Sequence, residues 1–371
     1  MSIAIIILKF ILRIIYGILK IFPIKSNKVL FLSRQSSELS LDFTLLKKEL
    51  ECCDPNIEIV AICHRMAGGK DGILGFAIAT LKSMYHLATS SVCVLDAYWP
   101  VVSILNHKKG LTVIQMWHAI GKIKQSGYQT LDKESGRSGK LSRLLCMHEN
   151  YDIIIAGGEA WNQFYCKSFN TTCDKLINIG LPRIDHLLEK EKYNRGEIFE
   201  SYPKLKGKIV LLYAPTFRRG IELNWEPLVE NIDFTRFALI IKGHPNQSIY
   251  CEKEGVLTCP EFKAVDLLSV CDYLITDYSA IAIEAAVLNK PTLYFVYDYE
   301  QYTEKNGLNI NLYEEMPGCV FSNSKELIKV IENNQYNYKA FEKYREKYLP
   351  KNLGTSTKSL AKVVLKNLDR Q

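Results

Sequence analysis

The chain has 371 residues, 47% apolar and 23% charged, a balance that excludes a disordered or fibrous protein and allows two sizeable cores. Its formal net charge of +7 favours anionic partners, yet the basic residues lack the aromatic interleaving of a nucleic-acid module, so no nucleic acid is expected. Eleven cysteines, an odd count without a C-x-x-C pair, exclude a disulfide framework or metal spacing and describe small core residues in a reduced compartment.

Residues 3–22 are almost entirely apolar, broken by Lys9, Arg13 and Lys20, whose spacing puts all three on one helical face. The longest charge-free runs, Met1–Leu8 and Ile14–Leu19, fall short of the about 20 apolar residues of a spanning helix. Segment 1–25 therefore reads as an amphipathic helix lying in the membrane plane. Its bases would face lipid phosphates and its Ile, Leu and Phe the acyl boundary. A signal-anchor span and a helix packed on the protein are the competing readings. The expectation is a peripheral protein at the cytoplasmic face of the cell membrane.

From Lys28 onward short apolar strands alternate with helical stretches. Strands are predicted at Val29–Ser33, Ile57–Cys63, Val92–Asp96, Thr112–Gln115, Tyr151–Ala156 and Leu176–Ile179. A Lys- and Glu-rich stretch, Glu189–Lys208, reads as an exposed connection. A second series follows, with strands at Ile209–Ala214, Phe237–Lys242, Tyr273–Thr276 and Thr292–Val296. Two successive α/β alternations predict two doubly wound Rossmann-like domains facing a cleft, at 26–188 and 206–335, with C-terminal helices over 336–371.

Four polar islands stand at strand ends, where such sheets bind ligands. The first, after Gln115, carries Trp117, His118, Gly121 and Lys124. Histidine accepts a proton near neutral pH, and glycine allows close backbone approach; a histidine that merely caps the strand is the plain alternative. The second island holds Thr216 and Arg218 after a strand and a proline, and arginine binds phosphate bidentately. The third holds His244 before Pro245, which restricts it to an extended conformation. The fourth runs from strand Tyr273–Thr276 through Asp277 and Ser279 into a helix with Glu284. Ser279 is predicted as the N-cap of that helix, whose first amides favour an anion. Neither Walker A nor G-x-G-x-x-G is present, and G-x-S-x-G and Asp-x-Asp are missing too, so ATPase, dehydrogenase and hydrolase readings lack support. A metal-independent transferase, with no cofactor, fits better.

The four islands read WHA-x-G-x-x-K-x-x-GY, YAPTFR, KGHPN and LITDYSA…E…NKP…D…Y, in that order. In that combination the chain resembles the CDP-glycerol glycerophosphotransferase family of teichoic-acid and related polyol-phosphate enzymes, over roughly Asn27 to Asn333. The segment Lys28–Ser36 with Leu41-Asp42-Phe43 also looks like the start of that family's catalytic region. The resemblance implies a GT-B fold of two Rossmann-like halves and a CDP-glycerol or CDP-ribitol donor on the C-terminal half. The implied acceptor is a lipid-linked saccharide or growing polyol-phosphate chain at the inner membrane face. The family's two functional histidines match His118 and His244. Many members read W-H-G-T-P where this chain has Trp117-His118-Ala119-Ile120-Gly121, a departure that leaves the polyol open. On this reading His118 takes the acceptor proton. His244, Thr216, Arg218, Asp277, Ser279 and Glu284 serve the donor, and Trp117, Gly121 and Lys124 the acceptor side. A nucleotide-sugar glycosyltransferase or epimerase of the same architecture is the alternative.

Overall fold

A computed structural model describes residues 2–65, 70–134, 136–218, 225–243, 251 and 253–368. The apolar runs form two six-stranded sheets, and every strand pair in both is parallel. The first contains β1 (Lys25–Ser33), β2 (Glu58–Cys63), β3 (Ser90–Leu95), β4 (Thr112–Gln115), β5 (Ile153–Ala156) and β6 (Leu176–Asn178), in the order β2-β1-β3-β4-β5-β6. The second contains β7 (Ile209–Tyr213), β8 (Phe237–Ile241), β9 (Val256–Leu257), β10 (Tyr273–Thr276), β11 (Thr292–Phe295) and β12 (Val320–Phe321), in the order β12-β11-β10-β7-β8-β9. Central strands such as Val29–Leu32, Val92–Leu95 and Leu274–Ile275 are wholly buried, as continuous apolar runs covered on both faces must be. The two-residue strands β9 and β12 escape sequence reading because two residues carry no period.

The helices of the first half are α1 (Ser2–Leu19), α2 (Leu41–Cys53), α3 (Lys70–Thr89), α4 (Pro100–Ile104), α5 (Gly139–Leu144) and α6 (Asn162–Phe169). Those that follow are α7 (Arg183–Ser201), α8 (Glu226–Asn231), α9 (Ala264–Leu267), α10 (Ile281–Val287), α11 (Tyr299–Asn306), α12 (Leu312–Glu315), α13 (Ser324–Glu332), α14 (Tyr338–Tyr348) and α15 (Ser356–Leu368). The chain divides into two compact units: Met1–Ala119 with Gln125–Asp185 and Gly354–Gln371, and Ile120–Lys124 with His186–Leu353. Two segments thus leave the run of their neighbours. The short Ile120–Lys124 joins the second unit, and α15 joins the first, where it packs on α2, β1 and β3 and buries Leu360, Ala361 and Val364. Asp185 receives the Ser356 and Thr357 amides at the start of α15 (3.1 and 2.7 Å), an anion on the positive end of a helix.

The stretch expected as an exposed connection is mostly α7. Leu187 and Ile198 lie three turns apart on one face and enter the second core with Leu205, Val210, Leu274 and Ala285. Charge composition concealed this, because two apolar residues among many charged ones suffice to seat a helix.

The N-terminal segment folds as a helix, and its bases bond to backbone carbonyls of the protein itself. Lys9 Nζ donates to Leu144 O (3.0 Å), Arg13 Nε to Ile104 O (3.2 Å) and Lys20 Nζ to Asn106 O (3.1 Å). Leu144 and Ile104 are the last residues of α5 and α4, so Lys9 and Arg13 cap carbonyls that those short helices leave unsatisfied. Tyr16, fully buried, reaches His107 (2.9 Å). Lys9, Arg13 and Lys20, expected to face lipid phosphates, are thus engaged by carbonyls of the protein itself. The outward face is apolar instead, with Ile3, Ile7, Phe10, Ile14 and Ile18 exposed. Neighbouring α3 adds exposed Leu74, Ile78 and Leu81, and Phe22 meets Tyr85 of α3 edge-on at 5.6 Å. Among the described residues no helix is long and apolar enough to cross a membrane.

Candidate functional site

In each sheet the strand order reverses once, between β1 and β3 in the first and between β7 and β10 in the second. At such reversals adjacent loops leave in opposite directions and open a crevice at the carboxyl ends of the strands. The polar islands fall there or one strand away.

In the first unit β1 delivers Ser33, β3 delivers Asp96, and β4 delivers Trp117 and His118. Trp117 has a φ of 60°, a left-handed conformation that costs a bulky residue about 1–3 kcal/mol. Gln115 supports it, accepting the Trp117 amide (2.8 Å). The turn lays the indole on the imidazole, with ring centres 4.2 Å apart, and the indole and Phe169 rings meet in a T at 5.1 Å. His118 Nδ1 lies 3.0 Å from the Asp96 carbonyl and 3.2 Å from Gln35 Nε2. A carbonyl only accepts, so with Nδ1–H donated to Asp96 the basic nitrogen is Nε2, and Gln35 Nε2, itself a donor, is a neighbour of Nδ1 rather than its hydrogen-bond partner.

Asp96 itself is 2% exposed. Its Oδ2 accepts from Ser33 Oγ (2.8 Å), while Oδ1 is buried without a hydrogen-bond partner. Burial raises its pKa to about 6, against the lowering effect of the Ser33 bond. Sequence reasoning missed both Asp96 and the buried His148, whose Nδ1 lies 3.1 Å from Tyr151 Oη and whose ring packs on Phe169. The signal for Asp96 was its place at the end of a strand already predicted.

In the second unit Asp277 and Arg218, 1% and 4% exposed, form the centre of a buried network. Arg218 Nη1 donates to Asp277 Oδ2 (2.6 Å) and to Thr216 O (3.0 Å). Its Nε and Nη2 grip Asp298 (2.6 and 3.0 Å). Asp277 also accepts the Thr216 amide (2.9 Å). Tyr278 Oη donates to Asp298 (3.1 Å), and its ring stacks on Tyr302 at 3.9 Å. Burial works against the guanidinium charge, but Asp298 and Asp277 outweigh it and raise the Arg218 pKa. The network ties the loop after β7 to the loop after β10. Arg218 and Asp277, expected as donor contacts, are spent on each other and on Asp298, which sequence reasoning left without a role.

Ser279 is not the N-cap. Ala280 takes that place in helical conformation, and α10 starts at Ile281. Thr216 Oγ1 is buried without a hydrogen-bond partner, and Glu284 lies half-buried on α10. His244 lies outside the described residues.

Of the residues expected on the acceptor side, Trp117 is in the first unit and Gly121 and Lys124 are in the second. An antiparallel bridge from Lys124 to Leu308 and three bonds from Asn309 pin that short segment: N to Ile123 O (2.8 Å), and Nδ2 to Lys122 O (2.7 Å) and Lys124 O (3.1 Å). Burial lowers the Lys124 pKa and the nearby Asp277 charge raises it. The Lys124 amine thus lies close enough to the Arg218–Asp277–Asp298 group to feel its charges, although burial remains the larger influence on it.

A family model described as CDP-Glycerol:Poly(glycerophosphate) glycerophosphotransferase matches residues 14–366. A teichoic acid poly(ribitol-phosphate) polymerase of Bacillus spizizenii is 28% identical over 89% of this chain. The chain spans about half of that relative's length, 54%. A teichoic acid glycerol-phosphate primase of Bacillus subtilis is 29% identical over 76% of this chain and 75% of its own length. Among solved structures, a variant of the wall teichoic acid polymerase TagF soaked with CDPG superposes with a TM-score of 0.77, at 18% identity, covering 100% of this chain and 97% of that one. That likeness shows the fold, an α/β protein with two parallel-sheet domains.

Proposed function

The chain belongs to the CDP-glycerol:poly(glycerophosphate) glycerophosphotransferase family, and from this premise we propose that it transfers glycerol phosphate or ribitol phosphate from a CDP-polyol to a lipid-linked saccharide or polyol-phosphate chain. The observation that carries the reading is the orientation of His118, whose Nδ1 is bound to the Asp96 carbonyl at 3.0 Å with Nε2 left basic. His118 Nε2 takes the proton of an acceptor hydroxyl. The freed oxygen forms a bond to the β-phosphorus of the donor, the bond from that phosphorus to the bridging oxygen breaks, and CMP leaves with the electron pair. Such transfer depends mostly on positioning and charge stabilisation.

The donor belongs to the second unit in this proposal, and the fold to the GT-B class. Arg218, Asp277 and Asp298 act by holding the two loops at the β7–β10 reversal. Thr216 and Ser279 on those loops and Lys124 beside them serve the donor phosphates, with His244 joining through its family match. Glu284 serves the cytidine or its ribose. The reading places the protein on the cytoplasmic membrane surface, supported by the outward apolar face of α1 and α3.

The test is CMP release from CDP-glycerol, CDP-ribitol and a UDP-sugar with membrane acceptor. Wild-type chain should release CMP from at least one CDP-polyol, and His118→Ala should lower the rate by about 10²–10⁴. Turnover of only the UDP-sugar, or a His118→Ala rate near wild type, overturns the assignment.

A further inference from the structure

We propose that Arg34 and Arg137 form a phosphate site in the first unit, at the β1–β3 reversal beside His118, that holds a phosphodiester of the acceptor chain. This inference rests on the transfer reading above, and it supplies the acceptor contact that the position of Lys124 leaves vacant.

Arg34 is the first residue after β1, and Tyr98 follows β3 by three residues, so the two flank the point where the first sheet's order reverses. Both arginines hold this tyrosine. Arg34 Nη1 donates to the Tyr98 carbonyl at 3.0 Å, and Arg137 Cζ stands 5.4 Å from the Tyr98 ring centre. Tyr98 is buried, and its own hydroxyl is fixed on the Leu145 carbonyl (3.0 Å). Arg34 is steadied further by the Phe76 ring at 5.1 Å. Two guanidiniums are thereby held at one buried residue, Arg34 on its carbonyl and Arg137 over its ring.

They repel. Burial lowers the Arg34 pKa, and the charge of Arg137 lowers it further. Among the described residues no carboxylate forms an ion pair with Arg137. Paired guanidiniums with this repulsion between them suit an anion that takes hydrogen bonds from both, and the planar fork fits phosphate oxygens. The base is adjacent: Gln35, next in sequence to Arg34, lies 3.2 Å from His118 Nδ1. An acceptor phosphodiester at the arginines lies within reach of the histidine that would deprotonate the hydroxyl of the same chain. The arginines touch substrate in this proposal but not the reacting atoms.

Calorimetry with the full chain and a lipid-free oligo(glycerol phosphate) tests the site without turnover, with CDP-glycerol and inorganic phosphate as separate titrants. The oligomer should bind wild type and weaken steeply with added salt. Arg137→Gln should weaken it about tenfold, and Arg137→Lys by less. In the transfer assay Arg137→Gln should raise the acceptor KM about tenfold and leave the donor KM in place. Because Arg137 is exposed, the substitution spares the core, and a thermal scan checks that. Oligomer affinity unchanged in Arg137→Gln overturns the proposal, as does a loss confined to CDP-glycerol or shared equally with inorganic phosphate. If wild type binds the oligomer yet releases no CMP from any CDP-polyol, the transfer reading fails and the arginine site stands.

Discussion

Arg218 shows how burial sets what a charged side chain can do. A guanidinium 4% exposed and saturated by two carboxylates stabilises its loops, and removing it strands Asp277 and Asp298. Breaking a buried ion pair from one side costs about 3–5 kcal/mol. Arg218→Ala should therefore lower the stability of the second unit by about that amount in urea unfolding, with Asp298→Asn also destabilising. Near-neutral unfolding of Arg218→Ala would show that the network carries no such energy. Asp96 makes the opposite case, a carboxyl whose folded pKa of about 6 lies above its unfolded value of about 3.9. The protonated form is favoured by folding, so its contribution is fully present below pH ~4 and is lost as pH rises through ~6, on the order of 3 kcal/mol in all. Stability of the first unit should fall over that window in wild type, and Asp96→Asn should flatten the slope. Parallel profiles for the two proteins would refute the assignment. The residue types at the site were legible because they punctuate apolar strands. Their pairings were not, since Arg218 and Asp298 stand 80 positions apart.

At the scale of elements, α1 carries its amphipathicity in an unexpected sense. Three bases on one face usually mean an anionic surface, but here Lys9 and Arg13 satisfy helix-end carbonyls and Ile and Phe side chains point out. On the proposed membrane reading, binding rests on apolar burial rather than on charge and is expected to depend little on salt. Phe10→Ser with Ile14→Ser should lower binding to vesicles strongly, each change costing about 1.5–3 kcal/mol of side-chain burial, while neutral and anionic vesicles should behave nearly alike in cosedimentation. Strong preference for anionic vesicles, lost at high salt, would restore the outward-facing bases. Lys9→Ala should instead register as lost thermal stability.

For the whole molecule, α15 decides how the chain is divided. Ending at residue 355 removes Leu360, Ala361 and Val364 from the core against α2, β1 and β3, and it leaves Asp185 without the amides it caps. The first unit should then lose cooperative unfolding and yield to limited proteolysis, while the second unit keeps its protection. Equal protection of both units in the truncated chain would count against this division.

Ten of the twelve strands among the described residues, their alternation with helices and the four polar islands follow from the order of residues alone, because a buried parallel strand must be continuously apolar and a ligand loop must interrupt it. Only the tertiary structure decided where the side chains between those landmarks are used. It placed Lys124 near Asp277, bonded Lys9 and Arg13 to backbone carbonyls, seated Ile198 in a core and left Arg34 and Arg137 on one tyrosine. Each of these outcomes depends on carbonyls, carboxylates or rings brought close by folding from distant parts of the chain, and local spacing contains no record of such neighbours.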